Sequence, residues 1–317
     1  MSEERRKAYL TLLTTAFIWG LAPPIIKYTL RYTSPLTFLF YRFLIVSLIL
    51  IVPLTIKFIK QRPSLNLCFQ YLALGFIGTP LTLLLLFFGM QKTAAINASL
   101  ISIFTPILII LGGVVFLRET VTRQERFGIS FIFLGAFLSI LEPLFKNGLS
   151  LNQGLWGNLL IFGGSVAWAS FSLLRRKAGE ALDSFVLSAS SFLVGLITLL
   201  PFVTFNFSLL ALNSNAWPGI CYMAILGSVI AYFTYIYGFS KIEASEATLF
   251  TYLEPIFAIP IAVAFLHEEL SFIFLLGAFF IVIGVLVSQT RKLRLPRQFR
   301  LLIFQPKISR AEKSFKK

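Results

Sequence analysis

The sequence predicts an all-α integral membrane protein with ten transmembrane helices, arranged as two inverted five-helix repeats. The first supporting observation is composition. Of 317 residues, 57% are hydrophobic and only 13% are charged, about half the charged share of an ordinary soluble domain. The mean hydropathy is +0.85, and a soluble fold of this size could not hide so much apolar surface from water. The second and third observations are ten apolar runs and an internal repeat.

The apolar runs have the length of membrane-spanning helices. A helix needs about 20 residues to cross about 30 Å of hydrocarbon. Short polar connections separate the runs and leave no room for a soluble domain. The ten helices are predicted at Ala8–Tyr28, Pro35–Ile56, Phe69–Gln91, Ala94–Leu117, Gln124–Leu141, Leu155–Leu174, Phe185–Phe205, Trp217–Ser240, Ala244–Leu266 and Phe272–Ser288.

The repeat appears when the chain is shifted by 149 residues against itself without a gap. Glycines, prolines, charged residues and a tryptophan then coincide, and these pairs include Trp19 with Trp168, Gly78 with Gly227, Pro106 with Pro255, Glu119 with Glu268, Gly128 with Gly277, and Gly135 with Gly284. We therefore predict a first repeat over 8–143, a second repeat over 155–289 and a basic tail over 290–317. Because the second copy keeps a helix in the corresponding place, we expect the first run to be a retained helix and not a signal peptide.

Positive charges predict the orientation. Ten of the 28 Lys and Arg residues lie in the tail from Arg291 to Lys317, and the segments that share a side with both termini hold most of the others. The segments on the other side hold four, which are Lys27, Arg31, Lys92 and Lys146. The positive-inside rule then predicts a plasma (inner) membrane protein with both termini in the cytoplasm.

An odd number of helices per repeat makes the two repeats enter the bilayer from opposite sides. Such inverted repeats suit alternating access, because exchanging the conformations of the two halves moves a central cavity from one compartment to the other. This pattern favours a transporter. A duplicated membrane protein that transports nothing remains the alternative.

Two prolines are predicted to interrupt helices near the centre of the membrane. Pro106 and Pro255 each remove an amide donor, which frees the carbonyls of Ser102 and Thr251 four residues earlier. Freed carbonyls at this depth must face protein or a wet cavity. We predict that these helices bend around a substrate pathway, and a simple packing kink is the alternative.

Two charged residues lie well inside predicted helices, away from the helix ends. Glu254 lies halfway through the ninth helix, where a carboxylate costs about 2.5–3.5 kcal/mol to insert. It is a candidate for binding a substrate amine or a proton, or for a structural pair. Arg42, the only arginine more than a few residues from the end of a predicted helix, could bind a substrate carboxylate, pair with Glu254, or extend its charged end to the membrane surface.

Other polar and aromatic residues are weaker candidates for the pathway. Asn97 and Glu246 correspond under the repeat and could belong to two gates, although solvation at a helix end is the simpler interpretation. Trp19, Trp168, Tyr235 and Tyr252 could line the pathway, although aromatic residues in membrane helices usually pack or sit at interfaces. The two tryptophans stand out because they repeat.

Enzymatic and metal-binding motifs are not apparent. The single histidine, His267, cannot form a two-histidine zinc motif, and neither a Walker loop nor a Gly-x-Ser-x-Gly elbow occurs. We expect no cofactor, no nucleic-acid partner and no catalytic activity. Thr122 with Glu125, and Ser271, are predicted to cap the fifth and tenth helices.

The order of short motifs resembles the EamA family of the drug/metabolite transporter superfamily. The motifs are Phe17-Ile-Trp19-Gly20, Tyr41-Arg42-Phe43, Pro106 followed by Leu117-Arg118-Glu119, and Leu253-Glu254-Pro255 followed by Leu266-His267-Glu268. His267 and Arg118 stand where that family often has glycine.

This resemblance implies a ten-helix transporter with a cavity between the repeats. It further implies export of amino acids or other small metabolites without ATP hydrolysis. Translocation of lipid-linked or sugar-nucleotide compounds is the alternative within the superfamily. The expected partners are a small-molecule substrate and anionic lipid at the basic tail, and the oligomeric state is left open.

Overall fold

The computed structural model describes residues 3–117, 123–147, 153–178, 182–206, 210–241 and 248–289. Within these ranges the chain forms ten apolar helical segments and no strand, which confirms the predicted fold class. Eight of the segments are long and apolar enough to cross a membrane. The remaining two, Phe250–Leu266 and Phe272–Val287, are shorter apolar helices.

The first repeat consists of α1 to α5. Its helices are α1 (Glu3–Gly20 and Ala22–Thr29), α2 (Pro35–Gln61), α3 (Leu65–Phe76, a π-helical stretch Ile77–Leu81, and Thr82–Lys92), α4 (Ala95–Ser102 and Phe104–Leu117) and α5 (Arg123–Asn147).

The second repeat consists of α6 to α10. Its helices are α6 (Gln153–Ala178), α7 (Ser184–Phe205), α8 (Trp217–Cys221, a π-helical stretch Tyr222–Ile230, and Ala231–Lys241), α9 (a 3-10 stretch Thr248–Leu253, then Glu254–Leu266) and α10 (Phe272–Gln289).

The predicted proline breaks are present in α4 and α9. In α4 the α-helix is interrupted at Ile103, three residues before Pro106. In α9 the 3-10 stretch ends at Leu253 and the α-helix then begins, so Pro255 lies in the first helical turn. A proline is well tolerated there because the missing amide would have no partner within the helix.

The contact between α5 and α10 follows the predicted two-fold relation. A Cβ atom added to Gly135 would lie 2.4 Å from the carbonyl oxygen of Gly277, and one added to Gly284 would lie 2.6 Å from that of Gly128. Under the repeat, Gly128 corresponds to Gly277 and Gly135 to Gly284, so exchanging the two copies turns one contact into the other. Reciprocal contacts of this kind are the signature of a two-fold interface.

A second reciprocal contact involves helices away from the axis. A Cβ atom on Gly89 in α3 would lie 2.6 Å from Ile161 in α6, and one on Gly238 in α8 would lie 2.4 Å from Leu12 in α1. These four residues also exchange under the repeat. The α3–α6 and α8–α1 pairs are therefore equivalent, and each joins the two halves of the molecule.

The repeats are consequently interleaved in one bundle. Helix α2 packs against α7, α4 against α9, and α5 against α10. The larger apolar core lies among α2, α3, α7 and α8, and the smaller one among α4, α5, α9 and α10. The bundle has an amino-terminal face, where α1 begins, and an opposite face, which carries the α1–α2, α3–α4 and α9–α10 connections.

Candidate functional site

Three aromatic side chains meet where α1 crosses α8. The Trp19 ring centre lies 5.8 Å from that of Tyr232 and 5.3 Å from that of Tyr235. The Trp19 indole nitrogen donates a hydrogen bond of 3.0 Å to the carbonyl oxygen of Gly227. That carbonyl belongs to the π-helical stretch of α8, where the wider turn disturbs the usual hydrogen-bond ladder. The cluster therefore anchors the first repeat to the second.

A small cavity lies beside this cluster and contains Glu254. Its volume is about 10 Å³, and its lining includes Thr15, Tyr235, Thr251 and Glu254. That volume is close to the minimum that a single water molecule needs. The fold thus brings together three of the predicted pathway residues, Tyr235, Thr251 and Glu254, with Trp19 in contact with Tyr235.

The Glu254 carboxylate is partly buried in this cavity. It forms no hydrogen bond or ion pair with any of the described residues, and its electrostatic neighbour is the hydroxyl of Tyr235. The Thr15 hydroxyl, in the same lining, is bonded to Thr234 at 2.8 Å. A carboxylate that faces a cavity between the repeats is suited to bind a cation or a proton.

Arg42 is buried on the other side of the aromatic cluster. Its side chain is 4% exposed, and its Nε donates a hydrogen bond of 3.0 Å to the Ser228 hydroxyl. It lies within reach of the Phe87 ring, with its guanidinium carbon 5.9 Å from the ring centre. Two of the three predicted alternatives for Arg42 are therefore wrong: its side chain does not extend to the membrane surface, and it does not pair with Glu254.

A second cavity, of about 20 Å³, borders the α8 residues next to Arg42. Its lining is almost wholly apolar and aromatic and includes Leu50, Phe192, Ser228 and Tyr232. Ser228 also donates a hydrogen bond of 2.8 Å to the Met223 carbonyl, five residues earlier in the π-helical stretch. That bond orients the hydroxyl oxygen to accept from Arg42.

Asn97 lies in the interior and not at a solvated helix end. It is 5% exposed, and its side-chain oxygen has no hydrogen-bond partner among the described residues. The solvation interpretation is therefore wrong for this residue. The sequence suggested solvation because Asn97 is only two residues from the start of α4, but that end of the helix is covered by the α9–α10 connection.

Glu268 provides that cover. Its two carboxylate oxygens accept hydrogen bonds from the amides of Ala95 and Ile96, at 2.7 and 2.9 Å. Lys27 is close by and donates a bond of 2.8 Å to the carbonyl oxygen of Met90 at the end of α3. The two Glu268 contacts join the second repeat to the first at the opposite face of the bundle.

A further buried acid lies at the same face. Glu142 in α5 is 2% exposed and accepts a hydrogen bond from Ser271, the residue that caps α10. The Ser271 hydroxyl also accepts a hydrogen bond of 3.0 Å from the backbone amide of Phe274, which confirms the predicted cap. Sequence reasoning missed Glu142, since it follows directly after the predicted end of the fifth helix, although an acid at the border of an apolar run is a usable signal.

The remaining predicted pathway residues are dispersed. Ser102 bonds to the carbonyl oxygen of Ala98 at 2.8 Å, which satisfies its hydroxyl within α4. Trp168 packs against Phe171 at 5.3 Å, and Tyr252 packs against the smaller apolar core. Trp168 does not reproduce the contact of its repeat partner, because Phe171 occupies the space over Gly78.

Several predicted features lie outside the described residues. They are Arg118, Glu119, Thr122, Glu246 and the tail over 290–317, together with the side chain of Glu125.

Comparison with known proteins identifies the family. The model of the EamA-like transporter family matches residues 6–141 and 155–290, one match for each set of five helices. The chain belongs to the EamA-like transporter family. This EamA-like protein is therefore a multi-pass membrane transporter, and its relatives are named accordingly.

Two relatives cover nearly the whole EamA-like chain. The chain is 29% identical over 293 residues to the uncharacterized transporter YyaM of Bacillus subtilis, covering 91% of this chain and 95% of that protein. It is 26% identical over 285 residues to an uncharacterized transporter of Archaeoglobus fulgidus, covering 89% and 98% respectively. A crystal structure with 16% identity superposes with a TM-score of 0.63 over 91% of this chain and 99% of its own, which shows a shared fold.

Proposed function

We propose that this EamA-like protein is a secondary transporter that exports amino acids or other small metabolites by alternating access, without ATP hydrolysis. The observation that carries the proposal is the reciprocal contact of Gly135 with Gly277 and of Gly284 with Gly128. Because the two interleaved copies are related in this way, each half can adopt the conformation of the other. Exchanging those conformations would expose one central site to either side of the membrane in turn.

The central site in this proposal is the Glu254 cavity with its aromatic neighbours. Glu254 binds the amine of the substrate, or a proton that is exchanged for it, and Trp19 and Tyr235 cover the bound group. Their contact across the α1–α8 crossing, where the two repeats meet, supports this choice of site. The cavity is small, so the arrangement corresponds to a closed state that must open to load a substrate.

The proposed location is the plasma (inner) membrane with both termini in the cytoplasm, which rests on the distribution of Lys and Arg between the two faces. Among the described residues the amino-terminal face carries twelve Lys and Arg residues, whereas the opposite face carries four, which are Lys27, Arg31, Lys92 and Lys146. In this orientation the contact of Glu268 with α4 closes the outer side.

A flux assay tests the proposal. The purified protein is reconstituted into liposomes, and uptake of a panel of radiolabelled amino acids is measured with and without an imposed proton gradient. We expect saturable flux in wild-type liposomes, and a loss of flux or of its pH dependence in Glu254→Gln. The matched control is Glu269→Gln, which removes an exposed carboxylate from a connecting segment.

Unchanged flux and unchanged pH dependence in Glu254→Gln would exclude the proposed role of Glu254. No flux of any amino acid, together with flux of a sugar nucleotide or a lipid-linked sugar, would favour the alternative substrate class. No flux of any compound would favour a membrane protein that binds but does not transport.

A further inference from the structure

The Arg42 guanidinium is a buried charge that the described part of the chain does not neutralise. Its side chain is 4% exposed, and no carboxylate of a described residue lies within 4.0 Å of it. Its Nη1 atom is buried and has no hydrogen-bond partner among the described residues. Since a buried charge is strongly disfavoured without a counter-ion, this position favours the binding of an anionic group.

The contacts that Arg42 does make hold the guanidinium in place without satisfying it. Ser228 accepts from Nε at 3.0 Å, and the hydroxyl of Ser228 is itself fixed by the Met223 carbonyl. Phe87 lies 5.9 Å from the guanidinium carbon and offers its ring face. Neutral groups thus hold the guanidinium in place, while Nη1 forms no hydrogen bond with a described residue.

A planar guanidinium matches the geometry of a carboxylate, which can accept two parallel hydrogen bonds. The adjacent cavity extends from Ser228 along Tyr232, Phe192 and Leu50. This lining is apolar apart from hydroxyl groups. The surroundings therefore suit a molecule that has an anionic carboxylate at one end and an apolar body, once the cavity of about 20 Å³ widens to admit it.

We propose that Arg42 and Ser228 form a binding site for the carboxylate of an organic acid with an apolar or aromatic body. The juxtaposition that carries the proposal is a buried arginine with an unsatisfied Nη1 atom, bonded through Nε to Ser228, which lines the neighbouring cavity with aromatic side chains. The inference deepens the proposed function, because it assigns the carboxylate end of the transported molecule to α2 and α8. The site lies across the aromatic cluster from Glu254, so the two charged groups serve different parts of a substrate or different ligands.

Binding to the purified full-length protein in detergent tests the site without requiring transport. The probes are hydrocinnamate, which is a carboxylate with a phenyl group, and hydrocinnamide, which has nearly the same shape but no charge. Isothermal titration calorimetry should give saturable binding of hydrocinnamate and at least about tenfold weaker binding of the amide, the factor expected when one charged hydrogen bond is lost. Sodium chloride is titrated separately as a probe for a simple anion site.

Three variants locate the binding. In Arg42→Gln we expect the preference for hydrocinnamate over hydrocinnamide to disappear. In Arg42→Lys we expect roughly tenfold weaker hydrocinnamate binding, because a point charge cannot form the two parallel bonds. The matched control is Arg31→Gln, which removes an exposed arginine from the same end of the bundle and should keep the wild-type preference.

Three results would overturn the proposal. They are equal affinity for the acid and the amide in the wild-type protein, occupation of the site by chloride with the same affinity as hydrocinnamate, and an unchanged preference in a folded Arg42 variant. If Arg42→Gln does not fold, the test uses Arg42→Lys, which retains the charge, and the affinity of that variant for hydrocinnamate decides the outcome. If the protein binds hydrocinnamate through Arg42 but shows no flux, the binding-site proposal stands and the transport proposal is refuted.

Discussion

The carboxylate of Glu268 accepts a hydrogen bond of 2.7 Å from the amide of Ala95, and its second oxygen accepts one from Ile96. An acid in the second repeat therefore caps a helix of the first. The first amides of a helix have no partner within it, and the helix dipole favours a negative charge at that end. This contact ties the α9–α10 connection to the start of α4.

Removing the Glu268 carboxylate should weaken this connection. We expect Glu268→Ala to lower the free energy of unfolding by about 1–2 kcal/mol, the usual cost of losing a charged helix cap. The measurement is the thermal unfolding midpoint of the purified protein in detergent. Glu269→Ala, which changes an exposed neighbour, should leave the midpoint near the wild-type value, and equal midpoints for both variants would contradict the capping role.

The glycine contact between α5 and α10 should tolerate no side chain. In Gly135→Ala the new Cβ would lie 2.4 Å from the carbonyl oxygen of Gly277, so we expect a loss of about 1–3 kcal/mol from overpacking. Gly163→Ala in α6 is the matched control, because its Cβ would find its nearest neighbour at 3.7 Å. That variant should be neutral or slightly stabilised by helix propensity, and the two midpoints should separate clearly in thermal unfolding.

His267 ends α9 in the left-handed region, with φ 55°. A side chain there is disfavoured relative to glycine, because the left-handed conformation brings Cβ close to the following carbonyl oxygen. We expect His267→Gly to stabilise the protein by about 1 kcal/mol. Glu269→Gly is the control, since this residue has no positive φ, and glycine there should bring no gain because it only loosens the unfolded chain. A lower unfolding midpoint for His267→Gly would show that the imidazole makes a contribution beyond conformation.

Asp183 should make stability depend on acid pH. Burial alone would raise the pKa of Asp183, but the hydrogen bond from Lys57 and those from the Val186 amide and Gln61 outweigh it and lower the pKa. The Lys57 nitrogen lies 2.6 Å from a carboxylate oxygen. Because the folded pKa is below the ordinary value of 3.8, this contribution is complete above that pH and is lost as the pH falls through the folded pKa.

The variant Asp183→Asn isolates the charge, because asparagine can still cap α7. We expect wild-type protein to unfold at a higher temperature than Asp183→Asn near pH 7, with the difference shrinking below about pH 4. Thermal unfolding at a series of pH values measures this. If the difference in unfolding temperature between wild type and Asp183→Asn stays constant into the acid range, the ion pair with Lys57 does not contribute to stability.

Helix positions could be read from the chain because lipid imposes a simple requirement. Each crossing needs a long apolar run with its backbone hydrogen bonds satisfied internally, and the predicted helices agree with the observed ones within a few residues at most ends. The proline breaks in α4 and α9 also followed from the sequence, since a missing amide acts locally. The π-helical stretches in α3 and α8 were not foreseen, because no single residue type produces them.

The partners of the buried polar groups depended on the tertiary arrangement. Arg42 was recognised as unusual from its place in an apolar run, but its contact with Ser228 joins residues 186 positions apart. The cap of Glu268 on Ala95 spans 173 positions. No local pattern encodes which helix lies opposite another at a given depth.

The sequence by itself determined the membrane class, the number of helices and the two-fold repeat, because hydropathy, span length and duplication are properties of the chain taken in order. The tertiary structure alone decided which polar side chains meet. It placed Tyr235 and Glu254 around one cavity, directed Arg42 toward Ser228, and gave Trp168 different contacts from those of its repeat partner Trp19. Those outcomes depend on close packing between helices distant in the sequence, where a difference of one side chain, such as Phe171 over Gly78, breaks the symmetry of the repeat.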